Sequence, residues 1–279
     1  MTTKEIIKGI FIYYNFINNE KYIIDDLGKQ CIWDTFTINN KELSRIGSFE
    51  GECINKLSPW LRCPSIENQT IHKWSPIIKH IRDNIINKFK YNNDSINIAK
   101  IQKYDNGNIT IYPHSDKIID LDPLFPIFII RFGSTRTALL INKETKEEIE
   151  VKMPHNSLLY ISYEANLLWK HGIKKDETIY PSYSIVFRKS CTYLDNETGY
   201  VFGMNTPFKY IKELTYGNYY SQIGITNEFK SIKELKVNSE KYYSKEQQKK
   251  KLIQCFTKEN NCKADISIYK DIIDNCIYP

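Results

Sequence analysis

The stretch from residue 95 to residue 190 constrains the fold most. It carries, in order, SINIAKIQKY, ITIYPH, IFIIRFG, TALLIN, EEIEVKM, SLLYIS and YSIVFRKS. These runs are short and rich in β-branched and aromatic residues, and Gly, Pro, Asn and Asp punctuate them at short intervals. Many short strands of this kind pack as an antiparallel sandwich or jelly roll. Helical signals lie upstream. SPIIKHIRDNIINKF, from Ser75, places Ile77, Ile78, Ile81, Ile85 and Phe89 on one face with Pro76 in the first turn, which predicts an amphipathic helix. IIKGIFIYYNF (6–16) reads as an opening β segment, and NNEKYIIDDLGKQ as a short helix ending near Gly28. Residues 40–75 show no sustained period and contain Gly47, Gly51, Pro59 and Pro64, so loops and short strands are expected there.

Inside this frame one local pattern carries chemistry. ITIYPHSDK ends an apolar run in His114-Ser115-Asp116, in a chain with only 5 histidines. On a strand, residues i and i+2 share a face, so an imidazole and a carboxylate at this spacing can grip one ion. The plainer reading is a strand-end histidine paired with its neighbouring acid. Tight binding needs a third ligand, and a distant histidine completes the two-His, one-carboxylate face that leaves positions open on a non-heme iron(II). His155 and His171 are both available. His80 falls on the predicted helix, where a surface or packing role is expected.

Composition excludes several classes. With 279 residues and 41% hydrophobic content the chain is long enough for a substantial core, and no run approaches the ~18 apolar residues of a membrane span. The N-terminus lacks the apolar segment and cleavage site of a signal peptide, so an intracellular location without membrane association is expected. The 7 cysteines form no C-x-x-C and suggest reduced thiols rather than a disulfide framework or zinc site. A net charge of +6 and a pI near 8.7 point weakly toward a polyanion. The abundance of Ile, Asn, Lys and Tyr, all residues of AT-rich codons, inflates that charge.

KYDNGNITIYPHSD, PIFIIRFGSTR, SLLYIS…WKHGI and SIVFRKS resemble, in order and spacing, the catalytic jelly roll of the AlkB-like iron(II)/2-oxoglutarate dioxygenases. A weaker likeness in IHKWSPIIKHI and SRIGSFEG extends toward the N-terminus. The resemblance implies an α+β protein with a double-stranded β-helix core at 98–194. Helices and a substrate lid would precede it at 1–97, and a C-terminal extension, read as helical, would follow at 195–279. It implies His114, Asp116 and His171 as catalytic metal ligands for Fe(II), with His155 structural, and 2-oxoglutarate and O2 as co-substrates. Decarboxylation to succinate and CO2 would drive oxidation of a C–H bond. The protein's share is coordination geometry and orientation.

The chain departs from the family at the co-substrate anchor. The family's closing strand carries two arginines six residues apart; Arg188 matches the second, and Ser182 stands in place of the first. The usual Asn-x-Tyr becomes Gln102-Lys103-Tyr104, and Ser184 lies between the two arginine positions. Tyr104, Gln102, Ser184 and Arg188 are therefore candidates for 2-oxoglutarate binding. In PIFIIRFG, Ile127, Ile129 and Arg131 share a face, and in the family the matching face lines the co-substrate pocket. A buried arginine needs an anionic partner, so Arg131 is expected to take the distal carboxylate. An ion pair with a nearby acid, or an outward orientation, is the alternative. Trp169, two residues before His171, is expected to pack the core.

The substrate is less constrained. The family's nucleobase demethylases flip a base from the stack and commonly carry a further acid in H-x-D-x-[DE], where this chain has Lys117-Ile118. Nucleic acid, DNA or RNA, is the expected substrate class from family and charge, with a protein side chain as rival. A catalytically weak binding module is a third reading. Phe49, Trp60, Arg62, His72 and Trp74 are candidate stacking or phosphate contacts, or core. SKEQQKKKLIQCF and residues 264–276 read as helices.

Overall fold

The computed structural model describes residues 1–18, 21–38, 41–54, 56–61, 70–117, 120–122, 125–197, 200–203 and 209–210. The chain opens with strands β1 (Thr2–Ile7) and β2 (Ile10–Tyr14), helix α1 (Ile23–Gln30), then β3 (Asp34–Ile38) and β4 (Lys41–Gly51). Strands β5 (Leu57–Trp60) and β6 (Ile71–Lys73) precede helix α2 (Pro76–Phe89), β7 (Ile98–Tyr104) and β8 (Ile111–His114). Next come β9 (Ile127–Gly133), β10 (Arg136–Asn142), β11 (Glu148–Met153) and β12 (Ser157–Ile161). A short helix α3 (Tyr163–Leu168) leads into β13 (Trp169–Ile173) and β14 (Ser182–Arg188), followed by β15 (Thr192–Asp195), β16 (Tyr200–Gly203) and β17 (Lys209–Tyr210).

Two compact units result. The first comprises Met1–Cys53, Cys63–Asp116 and Asp122–Lys189. It holds a large sheet ordered β1-β2-β12-β9-β14-β7-β4-β3, with β6 beside β4, and a small sheet ordered β11-β10-β13-β8. This mostly antiparallel pair of sheets is the jelly roll expected from the strand pattern. The second unit takes Ile54–Arg62, Lys117–Leu121 and Ser190–Pro279, and its described strands form the sheet β17-β16-β15-β5. Asp120 organises it, accepting from Thr192 Oγ1 at 2.6 Å and, through its carbonyl, from Cys191 N at 2.7 Å. No helix among the described residues is long and apolar enough to cross a membrane.

The period-2 alternation of the large sheet sorts its residues between two environments. Ala99, Ile101, Phe128, Ile130, Phe132, Tyr183, Ile185 and Phe187 form one buried cluster with Ile23 and Leu27 of α1 and Ile77, Ile78, Ile81 and Ile85 of α2. Helix α2 starts where the sequence predicts. Ser75 caps it by accepting from Ile78 N at 3.4 Å, and buried Glu50 in turn accepts from Ser75 N and Oγ at 2.7 and 2.9 Å. The other face carries Ile127, Ile129 and Arg131 on β9, Ser182, Ser184, Val186 and Arg188 on β14, and Gln102 and Tyr104 on β7. That face turns a row of polar groups inward, and it builds the site.

Several elements differ from the sequence reading, among them the extension from 195, expected to be helical, whose described residues form strands β16 and β17. Residues 41–51, expected as loops and short strands, form one long strand paired with β3, β6 and β7. Gly47 is no turn signal there: a Cβ on it would lie 2.2 Å from the Phe36 ring, so glycine admits a neighbouring side chain into the sheet. Helix α1 runs through Gly28 to Gln30, and α3 was not anticipated. The helices read at SKEQQKKKLIQCF and 264–276 lie outside the described residues.

Candidate metal centre

The small sheet brings two histidines side by side. His171 on β13 is the register partner of His114 on β8, and their ring centroids are 4.7 Å apart. The next pair is Ile173 with Ile111, so β8 takes three steps where β13 takes two. The extra residue is a β-bulge, the device that re-aims a side chain at the end of a strand. Pro113, which has no N–H to offer the ladder, sits in it. Opposite is Gly172, where a Cβ would lie 2.6 Å from Ile111 O and 2.8 Å from Pro113 N. Gly172→Ala is therefore expected to displace the bulge, costing about 1–3 kcal/mol by overpacking and weakening metal binding about tenfold. Thermal melts and Mn(II) titration together check this; an unshifted titration would show that the bulge does not govern the site.

Asp116 is not held by strand alternation, since β8 ends at His114. Its backbone is clasped instead by Asn166 of α3: Asp116 N donates to Asn166 Oδ1 at 2.9 Å, and Asn166 Nδ2 donates to Asp116 O at 3.0 Å. Ser115 Oγ adds a bond to Trp169 O at 2.9 Å. Asn166 is the positioning residue that sequence reasoning missed, because a lone asparagine in a six-residue helix carries no pattern.

The three side chains converge. Asp116 Oδ1 lies 3.7 Å from His114 Nε2 and 3.8 Å from His171 Nε2, and the donor atoms of the three residues all lie within 4.8 Å of one another. Among the described residues this is the group suited to an ion. The other carboxylate oxygen, Oδ2, accepts from Arg188 Nε at 2.6 Å. Arg188 thus leaves Asp116 a single oxygen facing both imidazoles. His114 Nδ1 lies 2.9 Å from Tyr112 O; a carbonyl only accepts, so Nδ1 carries the proton and Nε2 keeps its lone pair for a metal.

Protonation favours the same role. Burial would raise the Asp116 carboxyl, but Arg188 foremost, with His114 and His171, holds it well below the usual range. Burial first, then His114, pushes His171 down to about 3 against the pull of Asp116. At neutral pH the group is a carboxylate beside a neutral imidazole, the donor states a metal requires.

A second polar cluster lies on the inward face of the large sheet. Ser184 pairs in register with Arg131 on one side and Gln102 on the other, and Ser182 with Tyr104. Arg131 is wholly buried and donates from Nη2 to Ser182 Oγ at 3.0 Å, the side chain standing where the family has an arginine. Its guanidinium carbon lies 5.2 Å from the Tyr104 ring, and Tyr104 OH donates to Gln102 Oε1 at 3.4 Å. Arg131 Nε and Nη1 and Gln102 Nε2 have no hydrogen-bond partner among the described residues. Burial lowers the Arg131 guanidinium to about 10, so it remains charged at neutral pH.

Arg136 provides the contrast. It is equally buried, yet Nε donates to Asp176 Oδ2 at 3.1 Å, and Nη2 donates to the carbonyls of Gly107, Ile109 and Lys174 at 3.2, 2.6 and 3.0 Å. Arg136 is a clasp between loops. Arg131 is a cation turned into the interior with most donors idle, which excludes both the outward orientation and an ion pair with a described acid.

The other candidates sit in the following surroundings. His155 accepts from Gly133 N at 3.0 Å through Nδ1, a structural role as expected. Trp169 is buried, also as expected. Phe49, offered as a stacking residue, is core against Phe36 at 5.4 Å, and Trp60 is buried within β5. Trp74 is tied to Glu52 at 2.7 Å under Arg82, and His72 pairs with Asp34 at 3.8 Å. Arg62 lies outside the described residues.

The chain is similar to several known proteins. The model of the 2OG-Fe(II) oxygenase superfamily matches residues 13–197. The DNA oxidative demethylase ALKBH2 of Mus musculus is 24% identical over 125 residues, covering 42% of this chain and 51% of that protein. Its Homo sapiens counterpart is 25% identical over 125 residues, covering 42% and 47%. The chain spans about half the length of the curated relatives it matches. The solved structure of OsALKBH1 aligns with a TM-score of 0.49 and 16% identity, over 66% of this chain and all of that one. The superfamily's iron and 2-oxoglutarate suit the residues present: two imidazole nitrogens and one carboxylate oxygen for the metal, and a buried guanidinium with idle donors for a dicarboxylate. With its His-x-Asp and distant histidine gathered within reach of one ion, the chain belongs to the 2OG-Fe(II) oxygenase superfamily.

Proposed function

We propose that this chain is an Fe(II)/2-oxoglutarate-dependent dioxygenase that oxidises a C–H bond on a modified nucleic acid, by oxidative demethylation or hydroxylation. The observation that carries the reading is the pairing of the His114–Asp116–His171 group with the idle, buried Arg131. Iron bound there would supply the oxidation, in which O2 gives one oxygen atom to 2-oxoglutarate, yielding succinate and CO2, and the other to the C–H bond. The chain's own residues hold and orient. His114, Asp116 and His171 would hold the metal. Arg188 keeps Asp116 ionised and aimed. Arg131, with Ser182, receives the distal carboxylate, and Tyr104, Gln102 and Ser184 line the co-substrate's side of the sheet. The walls of Ile127, Ile129 and Val186 exclude water there.

A nucleic-acid substrate is supported by similarity to DNA oxidative demethylases and by the net charge of +6. Lys117-Ile118, in place of the further acid, favours a second reading, oxidation of a protein side chain. Methylated single- and double-stranded DNA, methylated RNA and a methylated peptide pool, each incubated with Fe(II) and 2-oxoglutarate, separate the two. Formaldehyde released in step with succinate from a nucleic acid supports the proposal. Succinate stimulated by peptides alone would replace it with the second reading.

A further inference from the structure

The inward face of the large sheet holds another cation, one that no motif singles out. On β4, Ile46 and Gly47 are the register partners of Lys103 and Gln102. One step further along this antiparallel ladder sets Arg45 level with Tyr104, and alternation turns it to the face of Gly47 and Gln102. Tyr104 is itself opposite Ser182, the acceptor of Arg131. Across the four adjacent strands β9, β14, β7 and β4, two arginines thus flank one buried tyrosine. Among the described residues Arg45 Nε is buried without a hydrogen-bond partner, like Arg131 Nε and Nη1 and Gln102 Nε2. Arg45 and Tyr104 also interact electrostatically, and burial lowers the Arg45 guanidinium.

Idle donors in an interior are costly unless something accepts from them. A carboxylate offers about four lone-pair sites, which matches the idle nitrogens of Arg131, Gln102 and Arg45. We propose that Arg45 is a second binding residue for the distal carboxylate of 2-oxoglutarate, donating from the β4 side while Arg131 donates from β9. The arginine missing from β14 is thereby replaced by two, one on each side of Tyr104. This inference rests on the co-substrate reading of the Arg131 pocket and adds a residue to it.

The test uses the full chain loaded with Mn(II), which binds without turning over, and calorimetric titration of two ligands. These are 2-oxoglutarate and 2-oxopentanoate, which keeps the chelating end and lacks the distal carboxylate. Arg45→Gln is expected to weaken 2-oxoglutarate about tenfold and to change 2-oxopentanoate less than twofold, while Arg131→Met weakens 2-oxoglutarate further. Equal effects on both ligands, or none on either, overturn the role of Arg45. If 2-oxoglutarate affinity is also unchanged in Arg131→Met, the pocket reading has failed and not only this extension. Should Arg45→Gln not fold, wild-type protein answers through arginine-specific labelling read by mass spectrometry. Protection of Arg45 by 2-oxoglutarate but not by 2-oxopentanoate supports the assignment, and equal labelling with either refutes it.

Discussion

Arg131→Met is expected to lower 2-oxoglutarate affinity by about two orders of magnitude, leave metal affinity within about twofold, and raise the melting temperature of the ligand-free protein. The three outcomes follow from one circumstance. Arg131 is wholly buried, and among the described residues it donates from Nη2 to Ser182 Oγ and leaves Nε and Nη1 idle. Losing a charge-assisted contact to a carboxylate costs about 1.5–3 kcal/mol, and more when the anion is desolvated. In the ligand-free state the same guanidinium is a buried charge without an anion, so an apolar side chain of similar length relieves it. 2-Oxoglutarate should accordingly raise the melting temperature of wild-type protein and not of the variant. Arg136→Met is the control with the opposite sign: its donors are engaged by Asp176 and loop carbonyls, so the change destabilises. Loss of stability in Arg131→Met, with 2-oxoglutarate binding intact, would make Arg131 a structural clasp like its neighbour.

His171→Ala should abolish Fe(II) uptake at micromolar metal and reduce 2-oxoglutarate turnover at least a thousandfold. Two ligands cannot hold a first-row dication against water and competing chelators as three can. His171 is the ligand most prepared for the task, since burial and His114 together keep its imidazole neutral. Asp116→Asn should do the same by a different route. It removes the anionic donor and leaves Arg188, held at 2.6 Å from Asp116 Oδ2, without its partner. Equilibrium dialysis with Fe(II) under anaerobic conditions measures both, and circular dichroism confirms the fold. Undiminished uptake in folded His171→Ala would place the metal elsewhere.

Much of this site was legible in the residues. The strand runs between 95 and 190 carry a periodicity that survives into the structure, and the His-x-Asp with His171 gathers as expected. Arg131 turns to the inner face that the family resemblance implies, buried and level with Ser184. What was not legible is long-range. Residues 41–51 read as loop because Gly47 and Gly51 break the pattern, and only the Phe36 ring from β3 explains why Gly47 belongs in a strand. Arg45 was hidden with that strand. The clasp of Asn166 on Asp116 joins residues 50 apart in sequence, and no local pattern encodes it. The bulge at Pro113 shows only against the register of β13. Substrate class is the least legible, since it depends on what lies opposite the metal and not on the ligands that hold it.

The central claim is that His114, Asp116 and His171 would hold one iron and that Arg131 would anchor the 2-oxoglutarate that binds with it. Anaerobic addition of Fe(II) and then 2-oxoglutarate tests both halves at once, because chelation of iron by the 2-oxo acid produces a visible charge-transfer absorption. Wild-type protein should develop this band with one iron and one 2-oxoglutarate per chain. His171→Ala should not develop it at any ligand concentration, and Arg131→Met should do so only at far higher 2-oxoglutarate. A band of equal intensity and midpoint in all three proteins would contradict the account.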